Sequence, residues 1–343
     1  MEAASGSSIT LAQVARLAGV SRATASRVFS GNPAVSLEAC SAVERAAAEL
    51  GYVPNRAARS IASGRSESVG VVIPEPRSSL FLDPLFPRLL RGIGEELSAS
   101  GLQMVLFAPQ SPSDVQRLEQ YLAGGHIDAV ILLTFHESDT LSVRLQARGI
   151  PVIYGGRPSG RFNVSFVDVD NHAGGRSATE HLIAQGRRRI AHIAGPLRSR
   201  LASDRAQGFR EAMWNSALRS DLVAHGEMDR DSGEVAMSRL LAESHDIDAV
   251  FAASDAMAAG AMWAMQVLGR RVPDDVAIIG FDDSPLAAAT QPPLSSVRQP
   301  IEDMGREMTR LVVSMSGTRM QTPQQMILGS ELQVRESTLA AAG

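Results

Sequence analysis

The sequence predicts a chain of two parts: an N-terminal all-α helix-turn-helix domain and, behind it, an α/β core of two lobes built on parallel sheets. Three observations lead there. A chain of 343 residues is longer than one hydrophobic core usually organises. Residues 10–52 carry apolar side chains at helical spacing between recognisable caps. From Val69 onward, short apolar runs alternate with amphipathic stretches, the pattern of βαβ units whose parallel strands are covered on both faces.

Thr10 is placed to cap a first helix, with Gln13 as its capping-box partner, and Leu11, Val14, Ala15 and Leu17 form the apolar face. Ser21 caps a second helix to about Ser30, with Ala25 and Val28 inward and Arg22, Ala23, Ser26 and Arg27 outward. The tight Ala18-Gly19-Val20 turn between them makes the pair a helix-turn-helix. A third helix runs from the Ser36 cap to Leu50, closed by Gly51 and Tyr52. Its Val43, Ala47 and Leu50 cover the first two helices, and Cys40 is expected in the same small core. Thr10 to Gly31 holds Arg16, Arg22 and Arg27 and no acidic residue, which suits a phosphate-facing surface; a purely structural cap has no need of such a face. Pro54 to Ile61 then reads as one or two helical turns capped by Asn55, followed by an Ala62 to Ser68 linker. So short a helix is marginal in water and orders only against a partner, which makes the segment a hinge.

In the core, the apolar runs are Val69 to Ile73, Met104 to Phe107, Ala129 to Leu133, Val152 to Tyr154, Ile190 to Ala194, Ala249 to Ala252 and Val276 to Ile279. Several end in polar or turn residues (Gly156 and Arg157, Ser254 and Asp255, Asp282 and Asp283), and the carboxyl ends of strands are where open α/β sheets bind ligands. Gly92 and Gly94 hint at a dinucleotide loop, but Leu97 stands where its third glycine belongs, so a nicotinamide site is excluded.

The formal net charge of −4 argues against a surface coated throughout by nucleic acid and leaves room for one small basic module. All the basic side chains are arginines, from which nothing functional follows. The single cysteine cannot form an internal disulfide and no His and Cys cluster has ligand spacing, so neither metal nor cofactor is expected. No stretch is apolar enough to span a bilayer and Met1 to Thr10 lacks an export pattern, so a cytoplasmic protein without membrane contact is expected.

Thr10-Leu-Ala-Gln-Val-Ala-Arg-Leu-Ala-Gly-Val-Ser21, Leu50-Gly-Tyr-Val-Pro-Asn-Arg-Ala-Ala-Arg-Ser-Ile61, Gly280-Phe-Asp-Asp283 and Pro292-Pro-Leu-Ser-Ser-Val-Arg-Gln299 together resemble the LacI family of sugar-responsive repressors, over nearly the whole chain. The resemblance implies a homodimer on palindromic double-stranded operator DNA, released by a small sugar, with a core like a periplasmic sugar-binding protein and three crossovers between its lobes. The implied domains are 9–53 for DNA, 54–67 for the hinge and 68–343 for the core. Lobe 1 is expected at about 68–168 and 301–327, and lobe 2 at about 169–298 and 328–343, with Ile327 to Thr338 returning to complete lobe 2. No leucine heptad follows Thr338, so a dimer rather than a tetramer is expected.

By the same resemblance, Arg22 and Ala23 fall where the family reads base edges, with Arg27 beside them and Ser21, Thr24 and Ser26 near phosphates. Thr10, Asn55, Arg56, Ala58 and Ile61 complete the DNA-facing set. An arginine donates two bonds to guanine O6 and N7, and an alanine offers a methyl contact; the alternative is that Arg22 touches phosphate alone. Ile61 stands where most relatives wedge a leucine between base pairs, or else it packs hinge against hinge. For the effector, Asp282 falls where the family accepts from sugar hydroxyls, and Arg205, three residues before Gly208, where it donates. Ser254 and Asp255 match a strand end facing the same cleft, and Arg157, Asp170 and Asn171 lie at its edges. Met228 takes a position that is aromatic in a relative. Phe81 and Trp263 have rings that stack on sugars, although isolated aromatics are more often core. Asp255 and Asp283 have a second reading as helix caps.

Within the family, Ser21-Arg-Ala-Thr-Ala-Ser-Arg27, Gly155-Gly-Arg-Pro158, Asp168-Val-Asp-Asn171 and Ala253-Ser-Asp255 are similar to the cellobiose-responsive branch. Another sugar, or a ligand that promotes DNA binding, stays open at this stage. So do a sugar-binding protein and an α/β enzyme without a DNA role, although no G-x-S-x-G elbow, phosphate loop or nucleophile with an evident base supports an enzyme.

Overall fold

The computed structural model describes residues 9–30, 34–53, 65–73, 85–133, 141–158, 163–315 and 322–339. The hinge segment with Asn55, Arg56, Ala58 and Ile61, and likewise Phe81, lies outside these residues. The chain divides into two compact units, residues 1–68 with 125–128 and residues 69–124 with 129–343.

The first unit holds α1 (Leu11–Leu17), α2 (Arg22–Phe29) and α3 (Leu37–Leu50). The backbone N–H and hydroxyl of Thr10 both donate to Gln13 Oε1, at 2.7 and 3.0 Å. Ser21 Oγ accepts from the Thr24 N–H at 3.0 Å, and Ser36 Oγ from that of Ala39 at 3.3 Å. Gly51 closes α3 at φ 66°, a left-handed conformation that costs glycine little, and the Tyr52 N–H returns to the Ala47 carbonyl at 2.8 Å. Val14, Ala15, Ala25, Val43, Ala46 and Ala47 make the core between the helices. Two expectations fail here. The stripe on α1 runs through Leu11, Val14, Ala15 and Ala18, which leaves Leu17 off it and 47% exposed. Cys40 sits in the first turn of α3, at the edge of that core, and is half-buried.

The second unit is built on two six-stranded sheets. The first joins β1 (Ser68–Val72), β2 (Gln103–Phe107), β3 (Ala129–Leu133), β4 (Val152–Gly155), β5 (Ser165–Val169) and β11 (Gln325–Leu328), in the order β2-β1-β3-β4-β5-β11. The second joins β6 (Ile190–Ala194), β7 (Val223–His225), β8 (Ala249–Ala252), β9 (Ala277–Asp282), β10 (Ser295–Arg298) and β12 (Glu331–Gln333), in the order β7-β6-β8-β9-β10-β12. Each lobe thus repeats one doubly wound order and is completed by a strand from the C-terminal segment. Pairing is parallel from β1 through β11 in the first sheet and from β7 through β10 in the second, where β12 runs antiparallel to β10.

The chain crosses between lobes three times: after β5, between β10 and the following helix, and between β11 and β12. The return of the C-terminal segment differs from expectation, because Ile327 and Leu328 still belong to the first sheet, opposite Asp168 and Val169 of β5. Sequence patterning also passed over β5, β7 and β10. In β10 the reason is visible. Ser295 and Ser296 are fully buried polar residues, tolerated because Ser295 Oγ donates to the Arg335 carbonyl at 3.0 Å and Ser296 Oγ to Asp255 Oδ1 at 2.6 Å.

Helices flank the sheets in close pairs: α4 (Leu85–Ala99) with α12 (Ile301–Met315), α7 (Asn171–Ala184) with α8 (Arg200–Asn215), and α9 (Arg230–Glu243) with α10 (Asp255–Val267). The other α-helices among the described residues are α5 (Pro112–Tyr121), α6 (Leu141–Ala147) and α11 (Pro285–Ala289). Each close pair is set by glycines against the partner's backbone, Gly92 against Glu302, Gly175 against Arg205 and Gly260 against Arg230. Gly92 is therefore a packing glycine rather than part of a phosphate loop.

Candidate nucleic-acid interface and effector cleft

In the first unit, Arg22, Ala23, Ser26 and Arg27 stand exposed along one face of α2, as their i, i+1, i+4, i+5 spacing requires. Ser21 and Thr10 are exposed at helix starts, while Thr24 is half-buried with its hydroxyl 2.8 Å from Ser21 Oγ. Neither α1 nor α2 carries an acidic residue. An exposed helix face with two guanidinium groups and small residues between them is free to approach a phosphate backbone and to lie in a groove about 12 Å wide.

In the second unit several of the candidate side chains meet near the carboxyl ends of strands. Arg205 on α8 is 3% exposed. Its guanidinium lies 3.6 Å from the centre of the Phe281 ring. Nε donates to Asn171 Oδ1 at 2.9 Å, and Nη1 donates to the Ala253 carbonyl at 2.5 Å. Nη1 also stands 3.5 Å from Asp282 Oδ1, the atom to which Gln299 Nε2 donates at 2.6 Å. Burial of a charge this deep is tolerable only with such partners. On the other side Asn171 donates through Nδ2 to the Val169 carbonyl at 3.0 Å and to Asp168 Oδ1 at 3.3 Å. Arg157, after β4, brings Nε to 3.7 Å from Asp168 Oδ2, where that buried nitrogen has no hydrogen-bond partner among the described residues. Burial raises the Asp168 pKa above the usual carboxylate value. A continuous polar chain therefore runs from Arg157 and Asp168 in the first lobe, through Asn171 on the first crossover, to Arg205 and Asp282 in the second lobe and Gln299 on the second crossover.

Asp282 has φ 112° and Asp283 φ 48°, both in the region that non-glycine residues avoid, so strain is concentrated at this strand end. The turn separates the partners of two neighbouring carboxylates. Asp282 meets Arg205 and Gln299, whereas Asp283 accepts from Arg298 Nε at 2.6 Å and from Arg335 Nη2 at 2.5 Å. Burial pushes the Asp283 pKa up, but those two arginines together bring it below the ordinary value. The reading of Asp283 as a helix cap does not hold, since Ser284 takes the N-cap position of α11.

The other residues singled out in the sequence are engaged differently. Ser254 caps α10, accepting from the Met257 N–H at 3.2 Å. Asp255 is 1% exposed and braces the β9 and β10 ends, its Oδ2 accepting from the Ser284 N–H at 2.7 Å and its Oδ1 from Ser296. Burial pushes its pKa up to about 6. Met228 packs on the core of the second lobe with its terminal methyl against Gly195. Trp263 is 45% exposed beneath the Arg230 guanidinium, at 5.4 Å. Asp170 caps α7 at 2.9 Å from the Ala173 N–H and lines a 330 Å³ cavity between α7, β10 and β12. That cavity contains neither Arg205 nor Asp282. Its one cation, Arg176, already pairs with Glu211 at 3.4 Å and Glu180 at 3.8 Å, so the polar chain is the better candidate site. Sequence reasoning did not single out Asp168, Phe281 or Gln299 as site residues, although each lies inside a quoted motif. Among the described residues no cluster of three or more His, Cys, Asp or Glu is arranged to hold a metal, and no helix is long and apolar enough to cross a membrane.

Comparison with known proteins gives a consistent result. Residues 10–55 match the bacterial regulatory proteins of the lacI family, and residues 179–338 match the periplasmic binding protein-like domain. The HTH-type transcriptional regulator CelR of Thermobifida fusca is 47% identical over 332 residues, 96% of this chain and 98% of that protein. The ribose operon repressor of Halalkalibacterium halodurans is 36% identical over 96% of this chain and 97% of its own. Among solved structures, a CelR–cellobiose complex is 46% identical with a TM-score of 0.76, covering 96% of this chain and 99% of that one. The lac repressor dimer bound to operator and the anti-inducer ONPF has a TM-score of 0.84 at 27% identity, covering 97% and 100%.

Proposed function

The chain belongs to the lacI family of bacterial regulatory proteins, and from that premise we propose a homodimeric repressor that holds palindromic operator DNA and releases it when cellobiose or a related cello-oligosaccharide binds its core. The observation that carries the sugar half is the buried Arg205–Asp282 pair at the strand ends, 3.5 Å apart and bracketed by Asn171 and Gln299. A cleft that takes a sugar must replace the water lost by each hydroxyl, and a planar donor beside a carboxylate does so. The similarity to CelR along 96% of the chain supports a cello-sugar as occupant.

In this reading residues 9–53 read DNA, 54–67 form the hinge and 68–343 hold the effector and the dimer contact. Arg22 and Ala23 face base edges, with Arg27, Ser21, Thr24, Ser26 and Thr10 beside them and Asn55, Arg56, Ala58 and Ile61 supplied by the hinge. Arg157 faces the sugar from the first lobe. The relatives are transcriptional regulators, so the protein is read as a cytoplasmic switch without turnover. Sugar shifts an equilibrium between two arrangements of the lobes, and it does so only through different affinity for the two.

The test is to select duplexes from random DNA, then titrate the selected duplex at one salt concentration with and without cellobiose, because phosphate contacts make affinity salt-dependent. Cellobiose is expected to weaken operator binding by roughly 5- to 150-fold, maltose not at all, and Asp282→Ala to abolish the response. Unchanged operator affinity at saturating cellobiose overturns the proposal.

A further inference from the structure

Asn171 has both ends of its amide in use. It is 3% exposed, with Oδ1 accepting from Arg205 Nε at 2.9 Å and Nδ2 shared between the Val169 carbonyl at 3.0 Å and Asp168 Oδ1 at 3.3 Å. Asp168 is anchored in turn, Oδ1 also accepting from the Val169 N–H at 2.9 Å. An amide offers two donors and one acceptor oxygen, and here protein groups occupy both kinds. Asn171 opens α7, and one turn later on the same face Gly175 lies against the Arg205 backbone. The arginine is thus gripped at its backbone by Gly175, at Nε by Asn171, at Nη1 by the Ala253 carbonyl and on its face by Phe281.

We infer that Asn171 and Asp168 are positioning residues of the effector site: they lock the Arg205 guanidinium in the pose that faces Asp282, and they tie that pose to β5 of the first lobe. This rests on the proposed sugar site and reassigns Asn171 from ligand to support. A guanidinium held before the ligand arrives loses little rotamer freedom on binding, so the support adds affinity without touching the sugar. It also spans the lobes. Asp168 belongs to the first sheet, whereas Asn171 and Arg205 lie on the packed helices α7 and α8 of the second lobe, so a change in the angle between lobes pulls on the Asn171–Asp168 bond.

The test compares Asn171→Leu with Asn171→Asp in the full chain. Leucine removes both functions of the amide; aspartate keeps the acceptor for Arg205 but places a second carboxylate beside Asp168. The cellobiose dissociation constant by calorimetry is expected to rise on the order of ten- to a hundred-fold in the leucine variant, as for loss of a hydrogen bond to a charged group. In the aspartate variant it stays within about threefold of the parent, although that variant unfolds at the lower urea concentration because of the buried like-charge pair. A merely structural role makes affinity follow stability, and that order overturns the inference. A second readout needs no sugar. The Arg205 Nε–H resonance of arginine-labelled protein, identified by its loss in Arg205→Lys, is expected to be retained in Asn171→Asp and shifted or exchanged away in Asn171→Leu. If the parent protein ignores cellobiose, the sugar reading falls and this resonance alone decides the positioning role; an unmoved resonance in Asn171→Leu overturns it.

Discussion

Gly175→Ala puts one methyl group into the close contact between α7 and α8. The added carbon would meet the Arg205 carbonyl oxygen first and would lie 2.9 Å from its Cα and 3.0 Å from its carbonyl carbon, and all three are backbone atoms with nowhere to rotate. Carbon atoms settle at about 3.5–4.0 Å, so the helices must part by roughly 0.6–1 Å. Asn171 sits one turn earlier on the same face, and its 2.9 Å bond to Arg205 Nε would stretch beyond hydrogen-bonding range under that shift. Overpacking costs about 1–3 kcal/mol, against which alanine's helix preference over glycine returns roughly 0.5–1 kcal/mol. The expected net is a loss of about 1–2 kcal/mol together with weaker cellobiose binding. Both tryptophans, Trp214 on α8 and Trp263 on α10, lie in the second lobe, so urea unfolding followed by their emission reports that lobe. A transition that stays put or moves to higher urea, with cellobiose affinity intact, would refute the packing argument.

Three further outcomes are expected. Gly94→Ala on α4 meets nothing within 4 Å among the described residues, so the same substitution should there stabilise by about 0.5–1 kcal/mol, read from far-ultraviolet dichroism in urea; a destabilised variant would contradict this. His192 is fully buried between Phe209 and Phe251, and burial lowers its pKa to about 4. With the folded pKa depressed, the unfolded chain binds the extra proton between about pH 6.5 and 4, so stability falls as pH drops through that window. From pH 7.5 to pH 5 the histidine should cost the second lobe about 2 kcal/mol that His192→Phe does not lose; parallel pH profiles for the two proteins would rule it out. Arg22→Ala should weaken binding by about 1–3 kcal/mol on operators carrying one particular base and relax selection at that position, whereas equal weakening on every duplex would show that Arg22 touches phosphate only.

Much of the fold is legible in the sequence because it rests on short-range physics. Ser21 and Ser36 cap the helices they precede, and Gly51 takes the left-handed turn that ends α3. The runs Ala129–Leu133, Ile190–Ala194 and Ala249–Ala252 are strands with those bounds, buried on both faces. What escaped depends on partners distant in the chain. Ser295 and Ser296 lack the apolar run that marks a strand, and they become a fully buried one because Arg335, Ser337 and Asp255 take up their hydrogen-bonding groups.

The site divides along the same line. The family resemblance marked Asp282 and Arg205, and the acid-free second helix marked the exposed Arg22 face, because each signal lies in a local motif. Only the tertiary structure decided that Asp255 is a brace, that Asp283 belongs to Arg298 and Arg335, and that Asn171 faces Arg205 across 34 positions of sequence. A local pattern sets which groups a residue can bond. Which group it does bond is set by the close approach of α7 and α8 through Gly175, a fact about two backbones that no stretch of sequence contains.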